Sequence, residues 1–270
     1  MLADAENSLP IGQPPIRTQG VTRLGAFLDL IMTTRSQTGY TMMGVVTGNA
    51  GVGKTIALQY YIETLTPREA IGLPACITIK VAPKATAKAV ATQLLTALQG
   101  QHGRHNIYDL ESSAVEAIRR HDLDLILVDE GDWLTVESFE MLRHLFDRSG
   151  CPIVVVGLPS IWQVITRHEK FTSRVGMHLD FLPLTQEELL ATVLPQICLP
   201  CWMYDGQSDD DLELGLLLWQ HIGSSFRKLR VILQCASQLA QTMGSERITA
   251  ETLHTVFQLT AIPRWLAATG

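Results

Sequence analysis

Gly48-Asn49-Ala50-Gly51-Val52-Gly53-Lys54-Thr55 reads G-x-x-x-x-G-K-T, a spacing whose chemistry is the capture of a polyphosphate. Glycines let the backbone curl until its N–H groups point inward at an anion. The Lys54 ammonium would then reach the β- and γ-phosphates, and the Thr55 hydroxyl would ligate Mg²⁺. Ile56 opens the apolar helical run that follows and completes the candidate ATP-binding set. A second group of chemical residues ends the apolar run at 123–128 (LDLILV): Asp129-Glu130. Read alone, the pair is an acidic turn where a strand exits into solvent. Downstream of a phosphate loop, Asp129 is a candidate to hold Mg²⁺, directly or through water, together with Thr55. Glu130 is then placed to polarise the attacking water. ATP and Mg²⁺ are the cofactors these residues call for.

The elements that must position these groups follow from the apolar pattern. Residues 42–47 (MMGVVT) fill a buried strand, and 56–65 have helical spacing. The loop between them therefore lies at a helix N-terminus, where the macrodipole favours a phosphate. Upstream, residues 21–32 are amphipathic, with Leu24, Phe27, Leu28 and Ile31 on one face, and the polar stretch 33–41 leads into the first strand. Downstream come a strand at 75–81, a helix at 84–98, a polar loop at 100–106 and helices at 110–120 and 136–148. A strand at 153–156 runs into Gly157-Leu158-Pro159-Ser160, followed by a short helix at 161–167 and a short strand at 178–181. Strands alternating with helices predict a parallel, doubly wound α/β sheet. Ligands of such sheets sit beyond the strand C-termini, where both motifs fall. From Thr185 the pattern turns helical: 186–194, an irregular link at 195–211, then 212–221, 227–243 and 249–259, the last with Thr249 as N-cap. The expected organisation is an extended arm at 1–19, a nucleotide-binding domain at 20–182 and a helical lid at 183–270.

Composition narrows the class. With 46% apolar and 18% charged residues the chain is globular rather than disordered. It has no run of about 18 apolar residues, so no membrane span is expected. The opening MLADAENSLP shows no secretory pattern. Five cysteines beside a nucleotide site point to reduced thiols in a cytoplasm. Cys198-Leu199-Pro200-Cys201 has no second ligand pair for zinc and reads as incidental core or loop cysteines. The net charge of −6 argues against general adhesion to DNA, while leaving room for a local basic stripe.

These features together resemble an AAA+ ATPase and, more narrowly, the TniB/TnsC group of AAA+ transposition regulators. The resemblance runs over about residues 20–240 and is carried by GNAGVGKT (48–55), LILVDEGDWL (125–134), PIVVVGLPSIWQVI (152–165), FTSRV (171–175) and GSSFRKLRVIL (223–233). It implies a P-loop NTPase (AAA+) parallel sheet flanked by helices, with a small C-terminal helical lid, and an ATPase activity. Arg174, or alternatively Arg167, is similar to the arginine finger that reaches a neighbouring subunit's γ-phosphate, a role suited to a permanently charged fork. Arg227, with Arg230 as the alternative, is similar to the lid arginine that touches the nucleotide. Leu158 departs from the polar residue that this family often has after the fourth strand's glycine, which leaves Ser160 as a substitute.

The resemblance also places DNA contacts after the second strand. Lys84 and Lys88 stand one turn apart on the expected helix, Thr86 adds a hydroxyl, and Arg104 lies in the following loop. Such groups grip phosphates without reading bases, and repetition along an oligomer multiplies them. The implied partners are duplex DNA without sequence preference, a transposase, a target-selection protein and further copies of the chain in a ring or helical filament. The alternative classes are a scaffold or secretion-associated ATPase that never touches DNA, and a helicase-loader-like protein.

Overall fold

Short β-branched and aliphatic runs build the centre of the α/β unit. In the computed structural model, which describes residues 16–65, 75–98, 106–199, 201–245 and 247–260, five strands pair in parallel: β1 (Met43–Thr47), β2 (Cys76–Lys80), β3 (Leu125–Asp129), β4 (Ile153–Gly157) and β5 (Val175–Asp180). Their order is β2-β3-β4-β1-β5. Every residue of β1, β3 and β4 is buried, the pattern of parallel strands covered on both faces. Arg104 and residues 1–15 of the expected arm lie outside the described residues.

The α/β unit comprises Val21–Asn49 and Lys54–Phe181. Its helices are α1 (Gln19–Thr38), α2 (Lys54–Thr64), α3 (Ala87–Ala97), α4 (Ile107–Arg120), α5 (Val136–Ser149) and two single turns, α6 (Trp162–Ile165) and α7 (Glu169–Thr172). On one sheet face Leu94, Leu110, Ile118, Phe139 and Leu142 from α3, α4 and α5 join the strand side chains in a single core. On the other, α1 comes so close to β1 that a Cβ on Gly44 would lie 2.8 Å from Ile31 and 3.2 Å from Phe27.

Two expectations for this unit need correction. The polar stretch expected to lead from residue 33 into β1 is helical as far as Thr38. Hydroxyls bond back along the helix, Thr34 Oγ1 to Leu30 O and Thr38 Oγ1 to Thr34 O, both at 2.7 Å. Arg35 also anchors this end by donating to Leu123 O beside Asp124. The helix expected from Lys84 begins only at Ala87. Thr86 is its N-cap, accepting from Ala89 N at 3.2 Å. Lys84 lies in the preceding turn with φ 55°, so it and Lys88 do not share a helix face.

The helical unit gathers residues 16–20, Ala50–Gly53 and 182–260. Here α8 (Gln186–Glu188) runs on through a π turn and a 3₁₀ turn to Gln196, followed by α9 (Asp209–Ile222), α10 (Phe226–Thr242) and α11 (Ala250–Thr260). Thr249 caps α11 as expected, accepting from Thr252 N at 3.2 Å. The expected irregular link at 195–211 instead carries an antiparallel hairpin, β6 (Cys198–Leu199) with β7 (Trp202–Met203). Asp211, 1% exposed, ties this hairpin to its surroundings. It accepts from Trp202 Nε1 at 3.0 Å, Asp205 N at 2.7 Å and Arg247 at 2.6 Å. Burial alone would raise its pKa, but the Asp205 amide, the Trp202 indole and Arg247 together hold the carboxyl below its ordinary value. Both hairpin cysteines are free thiols, and among the described residues no cluster of metal-binding side chains forms. Nor is any described helix long and apolar enough to cross a membrane.

Candidate nucleotide site

The phosphate loop leaves the sheet from β1, a fully buried strand between β4 and β5. Gly48 N donates to Gly157 O on β4 at 3.2 Å, and Phe181 N, just past β5, donates to Thr47 O at 2.7 Å. The Thr47 hydroxyl donates to Asp180 Oδ1 at 2.6 Å and lies 2.9 Å from His178 Nε2. The loop's first residue is thus fixed by strands on both sides. Gly53, at φ 103°, occupies a region essentially reserved for glycine, which explains the second fixed glycine of the motif. Lys54 Nζ donates to Gly48 O at 2.7 Å and Asn49 O at 2.9 Å, so the ammonium lies back over its own loop. Val52 is buried, Asn49 and Ala50 are exposed, and Ile56 is half-buried in the first turn of α2.

The second motif meets the first. Thr55 Oγ1 donates to Asp129 Oδ2 at 2.8 Å across 74 residues of chain. Asp129 is 4% exposed, and its other oxygen accepts from Glu130 N at 2.9 Å. One neutral and one anionic hard oxygen at this separation suit Mg²⁺, which prefers few protein oxygens plus phosphate. Glu130 has a left-handed backbone, φ 58°, a conformation costing a non-glycine residue about 1–3 kcal/mol and found preferentially at active sites.

Sequence reasoning missed the two residues that hold Glu130 in place. Gly131 passes directly over β4: a Cβ there would lie 2.4 Å from Val155 Cγ1 and 3.2 Å from Val156 O. Gly131→Ala is therefore expected to destabilise the fold by about 1–3 kcal/mol, read as a lower denaturant midpoint. An unchanged midpoint would mean that β4 yields more easily than this packing implies. Asp132 Oδ1 accepts from Leu158 N at 3.0 Å, which pins the turn after β4. The signal for both was the small-then-acidic Gly-Asp pair directly after Asp129-Glu130. Leu158 itself is half-buried, and Ser160 is exposed in the 3₁₀ turn that follows.

The candidate arginines occupy different settings. Arg174, immediately before β5, donates to Asp147 through Nε at 3.2 Å and through a terminal nitrogen at 3.1 Å. Asp147 also accepts from Arg143 at 2.5 Å, and Arg143 donates to Glu140 at 2.7 Å. Arg143 foremost, with help from Lys170, holds the Glu140 carboxyl down to about 2, against the burial that would raise it. Glu140 therefore stays ionised at neutral pH. Arg167 is exposed between α6 and α7. Arg227 is exposed in the first turn of α10, whose N-cap Ser225 accepts from Lys228 N. Within the helical unit a Cβ on Gly51 would lie 2.9 Å from Ser225 Oγ and 3.4 Å from Arg227 Cβ. Arg230 is partly buried. Lys84, Thr86 and Lys88 are all exposed, as is Lys80 at the end of β2.

A five-stranded parallel sheet flanked by helices, with a phosphate loop after its β1 and Asp-Glu at the end of its β3, is the P-loop AAA+ fold. Known proteins agree. Residues 37–165 match the AAA domain family. A relative from Staphylococcus aureus, described as a potential ATP-binding protein, is 24% identical over 195 residues, which is 64% of this chain and 69% of that protein. The solved Aeropyrum pernix ORC2 protein, in ADPNP–ADP complexes, superposes with a TM-score of 0.70 at 14% identity, covering 97% of this chain and 74% of that one. The Aeropyrum pernix ORC1 protein in complex with DNA superposes at 0.66 with 18% identity, covering 94% and 67%. Family match and fold together support an AAA+ ATPase.

Proposed function

We propose that this protein is an ATP-hydrolysing regulator of DNA transposition that assembles on duplex DNA in its ATP state and comes apart after hydrolysis. The observation that carries the nucleotide half is the Thr55–Asp129 hydrogen bond of 2.8 Å, which brings two distant motifs to the distance at which a cation under a triphosphate needs them. Lys54 binds the β- and γ-phosphates, and Thr55 and Asp129 would hold Mg²⁺, whose role there is to neutralise charge developing on the phosphates. Glu130 takes a proton from the attacking water. Arg174 serves a neighbouring copy's γ-phosphate. Its two bonds to Asp147 show the planar fork already engaged with an anion, so assembly exchanges one bidentate partner for another. Arg227 keeps the role of a nucleotide-touching arginine that the sequence resemblance suggests for it. The purpose of the cycle would be to present the DNA to a transposase, with a target-selection protein as a further partner.

Support for the DNA half is the run of exposed Lys80, Lys84 and Lys88 at the C-terminal edge of the sheet, the likeness of fold to an ORC1 protein solved with DNA, and the resemblance of the five sequence markers, in order and spacing, to those of transposition regulators. Gel retention of random duplex across a salt series tests it. Retention is expected to need ATP and to fall steeply with salt. Lys84→Ala with Lys88→Ala should weaken it and flatten the salt slope by about one per lost contact. No retention at low salt with ATP present would reject DNA in favour of a protein partner.

A further inference from the structure

We infer that Trp133 is a direct duplex-DNA contact and that it transmits DNA occupancy to Glu130. The inference rests on the proposed DNA-binding reading and names a residue and a coupling that the reading does not require. Trp133, on the short segment after the catalytic strand, is 45% exposed, and Val136, the first residue of α5, is 38% exposed. Trp202, by contrast, is 4% exposed with its indole nitrogen satisfied by Asp211.

The backbone joins this pair to the basic loop. Ala85 and Leu134 form an isolated parallel bridge, so Lys84 and Trp133 each stand one residue before the two bridged positions. The exposed groups along this edge include Lys80, Lys84, Thr86 and Lys88 on one segment and Trp133 and Val136 on the other. Glu130, the half-buried Asp132, which accepts from Leu158 N, and the exposed Glu137 are the acidic groups on the Trp133 segment, which leaves the lysine segment to carry the phosphates. A cationic strip beside an apolar wedge fits a duplex, with phosphates on the lysines and the aromatic ring against sugars and base edges.

The same segment is stiff towards the catalytic residue. Trp133 N donates to Glu130 O at 3.0 Å and Leu134 N to Gly131 O at 3.1 Å. Gly131 is jammed against Val155, and Asp132 is tied to Leu158 N. With its middle fixed, a push on Trp133 is passed along the 3₁₀ turn to Glu130, whose left-handed backbone is the least stable conformation in the segment.

The test uses the full chain with ATP, random duplex DNA, and the variants Trp133→Ala and Trp133→Phe. Three readings are taken: duplex affinity, the ratio of turnover with DNA to turnover without it in each variant, and the tryptophan emission change on adding DNA. Trp133→Ala is expected to weaken duplex binding about tenfold or more, the scale of a lost aromatic contact, and to bring the turnover ratio to unity. Trp133→Phe should keep most of the affinity and lose the emission change that the natural protein shows. If the natural protein binds duplex and Trp133→Ala binds and responds equally well, the inference fails and the DNA reading stands. If the natural protein shows no emission change on binding, the direct contact is refuted without recourse to any variant. If the natural protein does not bind duplex, the DNA reading fails and takes the inference with it.

Discussion

Glu130→Gln is expected to lower ATP turnover about 10²–10⁴-fold, the usual worth of a positioned general base, while nucleotide uptake persists. The amide has nearly the shape of the carboxylate but cannot accept the water's proton. The groups proposed to hold the triphosphate lie elsewhere: Lys54 over its own loop and Thr55 against Asp129. The Glu130 amide still donates to Asp129 Oδ1, so the left-handed turn survives the substitution. Phosphate release measured beside nucleotide binding separates the two effects. Turnover at the natural rate would remove Glu130 from the reaction, and loss of binding would make its role structural.

Lys54→Ala should act at the earlier step. The ammonium is the only side-chain cation on the loop itself, and removing a preorganised donor to developing phosphate charge costs about 10²–10³ in turnover. Charge-assisted hydrogen bonds to the bound phosphates are lost as well, worth about 1.5–3 kcal/mol of affinity. Lys54→Arg is not expected to rescue activity. A planar fork does not reproduce a compact ammonium that already reaches Gly48 O and Asn49 O. Equilibrium binding of ATP to both variants is the measurement, and natural affinity in Lys54→Ala would place the phosphates elsewhere.

Much of this molecule is legible along the chain because the information is local. Strands β1, β3 and β4 are buried at every position, so each reads as an apolar run, and the loop and Asp129-Glu130 lie where those runs stop. β5 is an edge strand with a mixed exposure pattern, and only its last residues looked like a strand. The turn at Lys84 shows why spacing alone misleads. Residues 84–98 are compatible with one helix, yet Thr86 caps it and leaves Lys84 in the turn outside. Hairpin strands of two residues at Cys198–Leu199 and Trp202–Met203 are too short to leave a periodic signal.

The site residues that went unseen share a different cause. Asp132 with Leu158, and Asp147 with Arg174, are partners 26 and 27 residues apart. No sequence spacing links either acid to its partner, and only the folded chain shows what each one holds. Gly131 is similar: its requirement for no side chain is set by Val155 on a neighbouring strand.

The account stands on a triphosphate held by Lys54, Thr55 and Asp129 and cleaved with the help of Glu130. Titrating ATP with Mg²⁺ into the Glu130→Gln protein, then analysing the bound nucleotide, tests it most directly. The expected result is saturable uptake of nucleotide recovered as intact ATP. No uptake, or recovery as ADP at the rate of the natural protein, would contradict it.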